Sequence, residues 1–249
     1  MERAVYDRMA EIDRDHWWFV GRRRIVTALI EKFRPTAGPL TILEVGCGTG
    51  SNIEMLRQFG MVEAIEPDEH ARAFSARRTG LEIGGGYLPD GVVLEDGRYD
   101  LIVLLDVLEH IPEDRASLGV LRRKLKPGGR LLLTVPAMPH LWSAHDVAHH
   151  HQRRYTGAAL GKVVEGAGFR IVHRTHFNSL LLPAVIGVRL LKKLLGREGG
   201  DDDKLPSRPV NRLLGGLFGW ERHAAVRGLL PTGVSIGLVA EPATGGSTR

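Results

Sequence analysis

Residues 42–50, Ile-Leu-Glu-Val-Gly-Cys-Gly-Thr-Gly, constrain this chain more than any other stretch. An apolar run carrying Glu44 passes into glycines at alternate positions, Gly46, Gly48 and Gly50. Ser51–Phe59 follows with apolar residues at helical spacing, Ile53, Leu56 and Phe59. That order predicts a strand, a tight loop and a helix, the arrangement by which α/β folds bring a backbone against a nucleotide-like ligand. Glycine suits such a loop because it accepts positive φ and has no Cβ to obstruct the ligand.

The chain beyond the loop repeats the alternation. Val62–Ile65 reads as a second strand ending at Glu66-Pro67-Asp68. Glu66 stands roughly 20 residues past the first glycine, the spacing at which an acid closing a second strand reaches ribose hydroxyls. A weak third strand, Leu81–Ile83, leads into Gly84–Pro89, a loop able to approach a flat base. Asp100–Leu105 has the continuous apolar run of a strand covered on both faces. A helix over Glu113–Leu125 is stopped by Lys126-Pro127-Gly128-Gly129, and Arg130–Val135 is the fifth strand. A helix over Thr156–Ala167, a strand over Phe169–His176 and a last strand over Val234–Ala240 complete the set. The pattern predicts an α/β fold, a doubly wound seven-stranded Rossmann-like sheet with helices on both faces and ligands at the carboxyl ends of the strands.

Divided along the chain, residues 1–39 form an N-terminal helical segment or lid, and 40–177 the ligand-binding core. A helical insertion (178–232), the last core strand (233–240) and a disordered tail (241–249) follow. In the first segment two apolar faces (Tyr6, Met9, Ile12; Ile25, Leu29, Phe33) flank Trp17-Trp18-Phe19 and Arg22–Arg24, which suit a lid, an anion-binding edge or plain helix packing. The insertion carries apolar helices over 180–195 and 211–230, which suit a cap, a peripheral membrane contact or a homodimer face, around a solvated Asp201–Asp203 run.

A length of 249 residues fits one large α/β domain with additions. The formal charge of +5 admits an anionic ligand or an acidic membrane surface. Cys47 is the sole cysteine, so no disulfide forms within the chain, which fits a reducing compartment. Residues 1–14 are charged, and no stretch reaches the ~20 apolar residues of a membrane span. The expected location is the cytoplasm, with peripheral contact at the inner membrane face. No interleaved aromatic-basic groove appears, so nucleic acid is not an expected partner.

Taken together, Glu44–Gly50, Glu66, Tyr99-Asp100 leading to Asp106–His110, and Leu125–Gly129 resemble a class I S-adenosylmethionine (SAM)-dependent methyltransferase over about residues 40–177. The Trp-Trp-Phe segment and His151–Thr156 resemble a bacterial subgroup found with glycan- or lipid-assembly enzymes. The resemblance implies SAM as cofactor and S-adenosylhomocysteine as product. It places Glu44, Gly46, Gly48 and Gly50 around the methionine end and Glu66 on the ribose. Pro67 would lie on one side of the adenine and Tyr87 and Leu88 on the other, with Asp106 and Val107 flanking the methionine. The acceptor is expected to be a small molecule or a lipid- or glycan-linked group, methylated at oxygen.

An oxygen acceptor calls for a base, and histidine is the usual one near neutral pH. His145 is the first choice and His149 the second, beside His150, with Tyr155 in the same set and Arg153 and Arg154 gripping an anionic group. Trp142, Asp146 and His151 share that stretch. Asp106, Glu109 and His110 resemble a spacing that some quinone-pathway O-methyltransferases use for a divalent cation, but here they are read as a helix start and no metal ligand is assigned. An NAD-dependent oxidoreductase and a non-catalytic SAM-binding scaffold are the competing readings.

Overall fold

The computed structural model describes residues 3–194 and 205–243. The strands are β1 (Leu40–Val45), β2 (Gly60–Ile65), β3 (Ile83–Gly84), β4 (Tyr99–Leu105), β5 (Leu125–Pro136), β6 (Phe169–Phe177) and β7 (Ser235–Pro242). They form one sheet in the order β3-β2-β1-β4-β5-β7-β6. Pairing is parallel from β3 to β5, and β7 runs antiparallel to both β5 and β6. The order reverses between β1 and β4, so their carboxyl ends diverge there into a crevice.

Side chains alternate across the sheet with the two-residue period of a strand. Leu40, Ile42, Leu101, Val103 and Leu105 face α2 (Trp17–Phe33), α3 (Ile53–Arg57) and α9 (Arg208–Trp220). Leu43, Val45, Ile102 and Leu104 face α5 (Asp114–Lys124) and α7 (Gly157–Gly166). Both faces are thus covered, which is why β1 and β4 are apolar almost throughout. Each fully buried Leu or Ile contributes about 1.5–3 kcal/mol. The other helices are α1 (Arg3–Ile12), α4 (Glu69–Thr79), α6 (Ala144–Ala148), α8 (Leu182–Leu194) and α10 (Arg222–Ala225).

The doubly wound sheet is the one the alternation predicts, and the differences from sequence are local. The third strand is two residues long and sits at 83–84. Helix α3 stops at Arg57 because Gly60 already opens β2, with its backbone packed against Leu40. β5 begins at Leu125, and Lys126–Gly129, with Gly128 at φ +79°, bulges out opposite Asp100, which is the register shift between Tyr99 and Leu101. The single helix expected over 211–230 is broken at Glu221. That buried carboxylate accepts from the amides of Ser179 (2.8 Å) and Leu180 (2.7 Å), so the chain turns there and restarts as α10. Glu241 and Pro242, expected in the tail, belong to β7, while the Asp201–Asp203 run and residues 244–249 lie outside the described residues.

Two contacts hold the flanking helices in place. α9 seats on α2 at Gly21, where a Cβ would stand 2.2 Å from the Phe218 ring. The turn after α1 is pinned by Asp13, fully buried, which accepts from Arg78 (2.7 and 2.8 Å) and from the Thr49 hydroxyl (2.8 Å). Among the described residues no helix is long and apolar enough to cross a membrane.

Candidate cofactor and acceptor site

A cavity of about 810 Å³ opens above the carboxyl ends of β1, β2 and β4. That volume is within the range of small-molecule sites. Its first wall is the glycine loop. Gly46 has φ +67°, and a Cβ there would meet the Val107 side chain at 2.8 Å, so only glycine lets the two strand-end loops close on each other. Gly48 has φ +53° with open space where a Cβ would stand, and its amide donates to Glu66 Oε2 at 2.8 Å. Glu66 Oε1 accepts from the Asp68 amide at 3.0 Å. Burial raises the Glu66 pKa, and these two amides act against the rise.

Pro67, Tyr87, Leu88, Asp106 and Val107 also line the cavity, with Tyr87 70% exposed at its rim. Two of the expected residues stand behind the wall. Glu44 is 1% exposed and accepts from Asn52 Nδ2 at 2.9 Å, so it orients a wall residue instead of meeting the ligand. Burial pushes its pKa up to about 7, against the Asn52 hydrogen bond. Gly50 turns towards α4, where a Cβ would meet Ser75.

Helices α1 and α2 close the cavity from above. Tyr6, Met9 and Ile12 of α1 and Trp17, Trp18 and Arg22 of α2 line it. Arg22 is 5% exposed and forms an ion pair with Asp106. It also donates to Leu105 O (3.4 Å) and Asn52 Oδ1 (3.3 Å), and its guanidinium lies 4.7 Å from the Trp18 ring centroid. Of the three arginines Arg22 lines the cavity, already paired with Asp106, and Arg23 and Arg24 turn elsewhere. Helical phase carries this signal, because Arg22 shares the buried face of Phe19, Ile25, Val26 and Leu29. Tyr6, Met9 and Ile12 are the apolar face read in the first segment, whereas Asn52 carries no signal, because a lone polar residue in a loop shows no pattern.

The opposite wall holds five histidines, His110, His145, His149, His150 and His151. The rings of His145 and His149 are 4.1 Å apart, and those of His110 and His151 are 4.7 Å apart. Burial, then the neighbouring histidines, lower His149 to about 3, and burial, then His151, lower His110 to about 4, so both are neutral imidazoles at neutral pH. His151 Nδ1 is 2.8 Å from Asp146 Oδ1. Asp146 is fully buried, and donors from His151 and Arg154 hold it well below the usual carboxylate range despite that burial.

Tyr155 is not on this wall. It is 3% exposed, its hydroxyl donates to Asp114 Oδ2 at 2.8 Å, and it bridges to Ala137 beside β5, so the expected catalytic tyrosine is a packing residue. Arg153 binds the same Asp114 at 2.8 Å, and Arg154 binds Asp146 at 2.7 Å, so both arginines are engaged within the protein instead of gripping a ligand. Asp106 is paired with Arg22 and is not among the ligand-type atoms that converge here. The group that does converge, with ligand-type atoms within 4.8 Å of one another, is Glu109, His110 and His151. A cation could be held by those three and not by the spacing read from sequence.

Asp106, His150 and Asn178 have positive φ and all line the cavity. Backbone strain of this kind, of order 1–3 kcal/mol per residue, concentrates at functional sites. The remaining wall is apolar, from Leu181 just before α8, Ala184, Val185 and Val188 of α8 and Leu214 of α9.

Residues 19–174 match the methyltransferase domain family. The chain belongs to that family. This methyltransferase is 27% identical, over 63% of its length and 61% of the relative's, to a probable S-adenosylmethionine-dependent methyltransferase of Mycolicibacterium smegmatis. It is 33% identical to a ubiquinone biosynthesis O-methyltransferase of Pseudomonas paraeruginosa, over 38% of this chain and 43% of that one. The methyltransferase thus spans less than two thirds of either relative. In fold it is similar to an S-adenosylmethionine-dependent methyltransferase from Mesorhizobium loti, with a TM-score of 0.56 at 15% identity over 86% of this chain and 95% of that one. The family match sets the nicotinamide alternative aside. The open cradle at Gly48, beside the Glu66 carboxylate, fits the S-adenosylmethionine named for the relative.

Proposed function

We propose that this methyltransferase methylates an oxygen of a small-molecule or lipid- or glycan-linked acceptor, using the histidine wall to take up the acceptor's proton. The observation that carries this reading is the two-sided cavity: a glycine loop with Glu66 on one side, and a cluster of histidines with an apolar arm on the other. Bound SAM supplies a methyl group already activated on a sulfonium, so the chain's task is alignment and proton removal.

Each wall has its part. Glu66 holds the ribose hydroxyls, its two oxygens having lone pairs beyond those given to the Gly48 and Asp68 amides. Pro67, Tyr87 and Leu88 flank the adenine. Gly46, Gly48, Asp106 and Val107 frame the methionine end, and Arg22 holds the Asp106 carboxylate in place there. His145 and His149 stand on the acceptor side with their rings 4.1 Å apart; His145 is the base that takes the hydroxyl proton, and His149, whose burial makes it a weak base, positions the ring beside it. The α8 residues and Leu214 cover the apolar part of the acceptor and exclude water. The O-methyltransferase named above favours oxygen as the methylated atom.

Calorimetric titration with S-adenosylhomocysteine, followed by a methyl-transfer screen on phenolic and lipid-linked hydroxyl compounds, tests the reading. Wild type should bind in the micromolar range. Glu66→Ala should lose about 100-fold or more, since a charged acceptor of two ligand hydrogen bonds is removed. His145→Ala should bind normally and turn over at least about 100-fold more slowly. Full activity in His145→Ala would overturn the base assignment, and transfer only to amines would overturn the choice of oxygen.

A further inference from the structure

Helix α9 packs one face on α2 and leaves the other to its surroundings. The buried face is Gly215, Phe218 and Gly219, with Arg24 donating to Gly215 O at 3.1 Å. The outer face carries Val210, Leu213, Leu217 and Trp220, which are 47%, 62%, 41% and 61% exposed. Their spacing puts them along one side of the helix, so this is a continuous apolar stripe and not scattered exposure.

Cations border that stripe. Arg208 and Arg212 are exposed on α9 itself. Beside it, a groove between α2, α3 and α10 is lined by Arg23, Arg24, Lys32, Arg222 and His223, with Glu31 as its acidic residue. Residues 208–220 contain no Asp or Glu. The next acid, Glu221, is buried and turned onto the Ser179 and Leu180 amides. Asp15 is exposed near the start of α9, where its carbonyl accepts from Asn211 at 2.7 Å. An apolar stripe flanked by cations is the pattern of a helix lying in the plane of a bilayer interface, with its side chains among acyl chains and its charges at anionic headgroups.

We propose that α9 and the basic groove beside it form a docking surface for an anionic lipid bilayer. A second copy of the chain is a poorer occupant, because a symmetric contact through the stripe would bring Arg208 and Arg212 of both copies together, and α9 itself has no carboxylate to answer them. Anionic headgroups supply that charge. The surface lies outside the groups assigned to cofactor and proton, so it stands independently of the acceptor's identity. It also borders the apolar arm of the cavity, since Leu214 of α9 lines that cavity together with Val188, itself 52% exposed.

Vesicle sedimentation of the full chain tests the surface, with large unilamellar vesicles of phosphatidylcholine alone and with about 30% phosphatidylglycerol. Binding to the mixed vesicles should be about 10-fold tighter or more, and should weaken as salt rises. Leu213→Ser/Leu217→Ser should lose about 10-fold, and Arg208→Gln/Arg212→Gln about 5-fold per charge. Thermal melting and S-adenosylhomocysteine binding, unchanged in both variants, establish that the fold is intact. Equal affinity for the two vesicle types, or variants that bind like wild type, would overturn the proposal. So would absence of vesicle binding together with self-association that Leu213→Ser abolishes, which would assign the stripe to a second copy.

Discussion

The guanidinium of Arg22 closes on the carboxylate of Asp106, 84 residues away, inside the wall of the ligand cavity. The pair ties the covering helix α2 to the carboxyl end of β4, at the point where Asp106 adopts positive φ. Arg22→Met should leave Asp106 without its counter-charge and cost about 3 kcal/mol, read by urea unfolding. Arg22→Met/Asp106→Asn should recover part of that loss, so the double-mutant cycle is strongly non-additive.

Glu44 makes stability depend on pH. Burial raises its folded-state pKa from 4.5 to about 7. A group whose pKa is raised on folding lends its full stabilisation below its unfolded value and loses it as pH rises through the folded value. Between pH 5 and 8, wild type should therefore lose up to about 3 kcal/mol from this site. Glu44→Gln should flatten that slope and be the more stable protein at pH 8, as followed by denaturant midpoints across the range.

Tyr155→Phe separates packing from chemistry. Removing the hydroxyl leaves Asp114 one hydrogen bond short and should cost about 1–2 kcal/mol. S-adenosylhomocysteine affinity should stay within about twofold, and methyl transfer, once an acceptor is found, should be unaffected.

Gly21→Ala should be disruptive although Ala favours helices. Its Cβ would overlap the Phe218 ring at 2.2 Å, so α9 must lift from α2 at a cost of about 1–3 kcal/mol. Pairing it with Phe218→Leu should restore part of the melting temperature, which a purely local helix effect would not do.

Most of the fold could be read from sequence because its signals are local. The continuous apolar runs of β1 and β4 report burial on both faces, and the glycines at 46, 48 and 50 report the loop between strand and helix. Glu66 was legible because a strand end fixes where the next residue points. Glu221 was not, since nothing nearby in sequence shows that its carboxylate will meet Ser179 and Leu180 and break a helix that periodicity continues. The histidine stretch was legible only as composition. Loop residues have no period, so whether Tyr155 or His151 turns to the ligand is decided by Asp114 and Asp146, each a tertiary partner. Arg22 is intermediate, because helical phase marks it as buried but only the fold supplies Asp106.

The placement of β7 has a consequence for how the protein is made. This strand comes after every strand it joins, yet it lies between β5 and β6. As the chain leaves the ribosome, two facing sheet edges must wait with unpaired amides and carbonyls until Ser235–Pro242 emerges. That interval is when a nascent chain is most exposed to strand-to-strand aggregation. Arrival of β7 closes both edges at once.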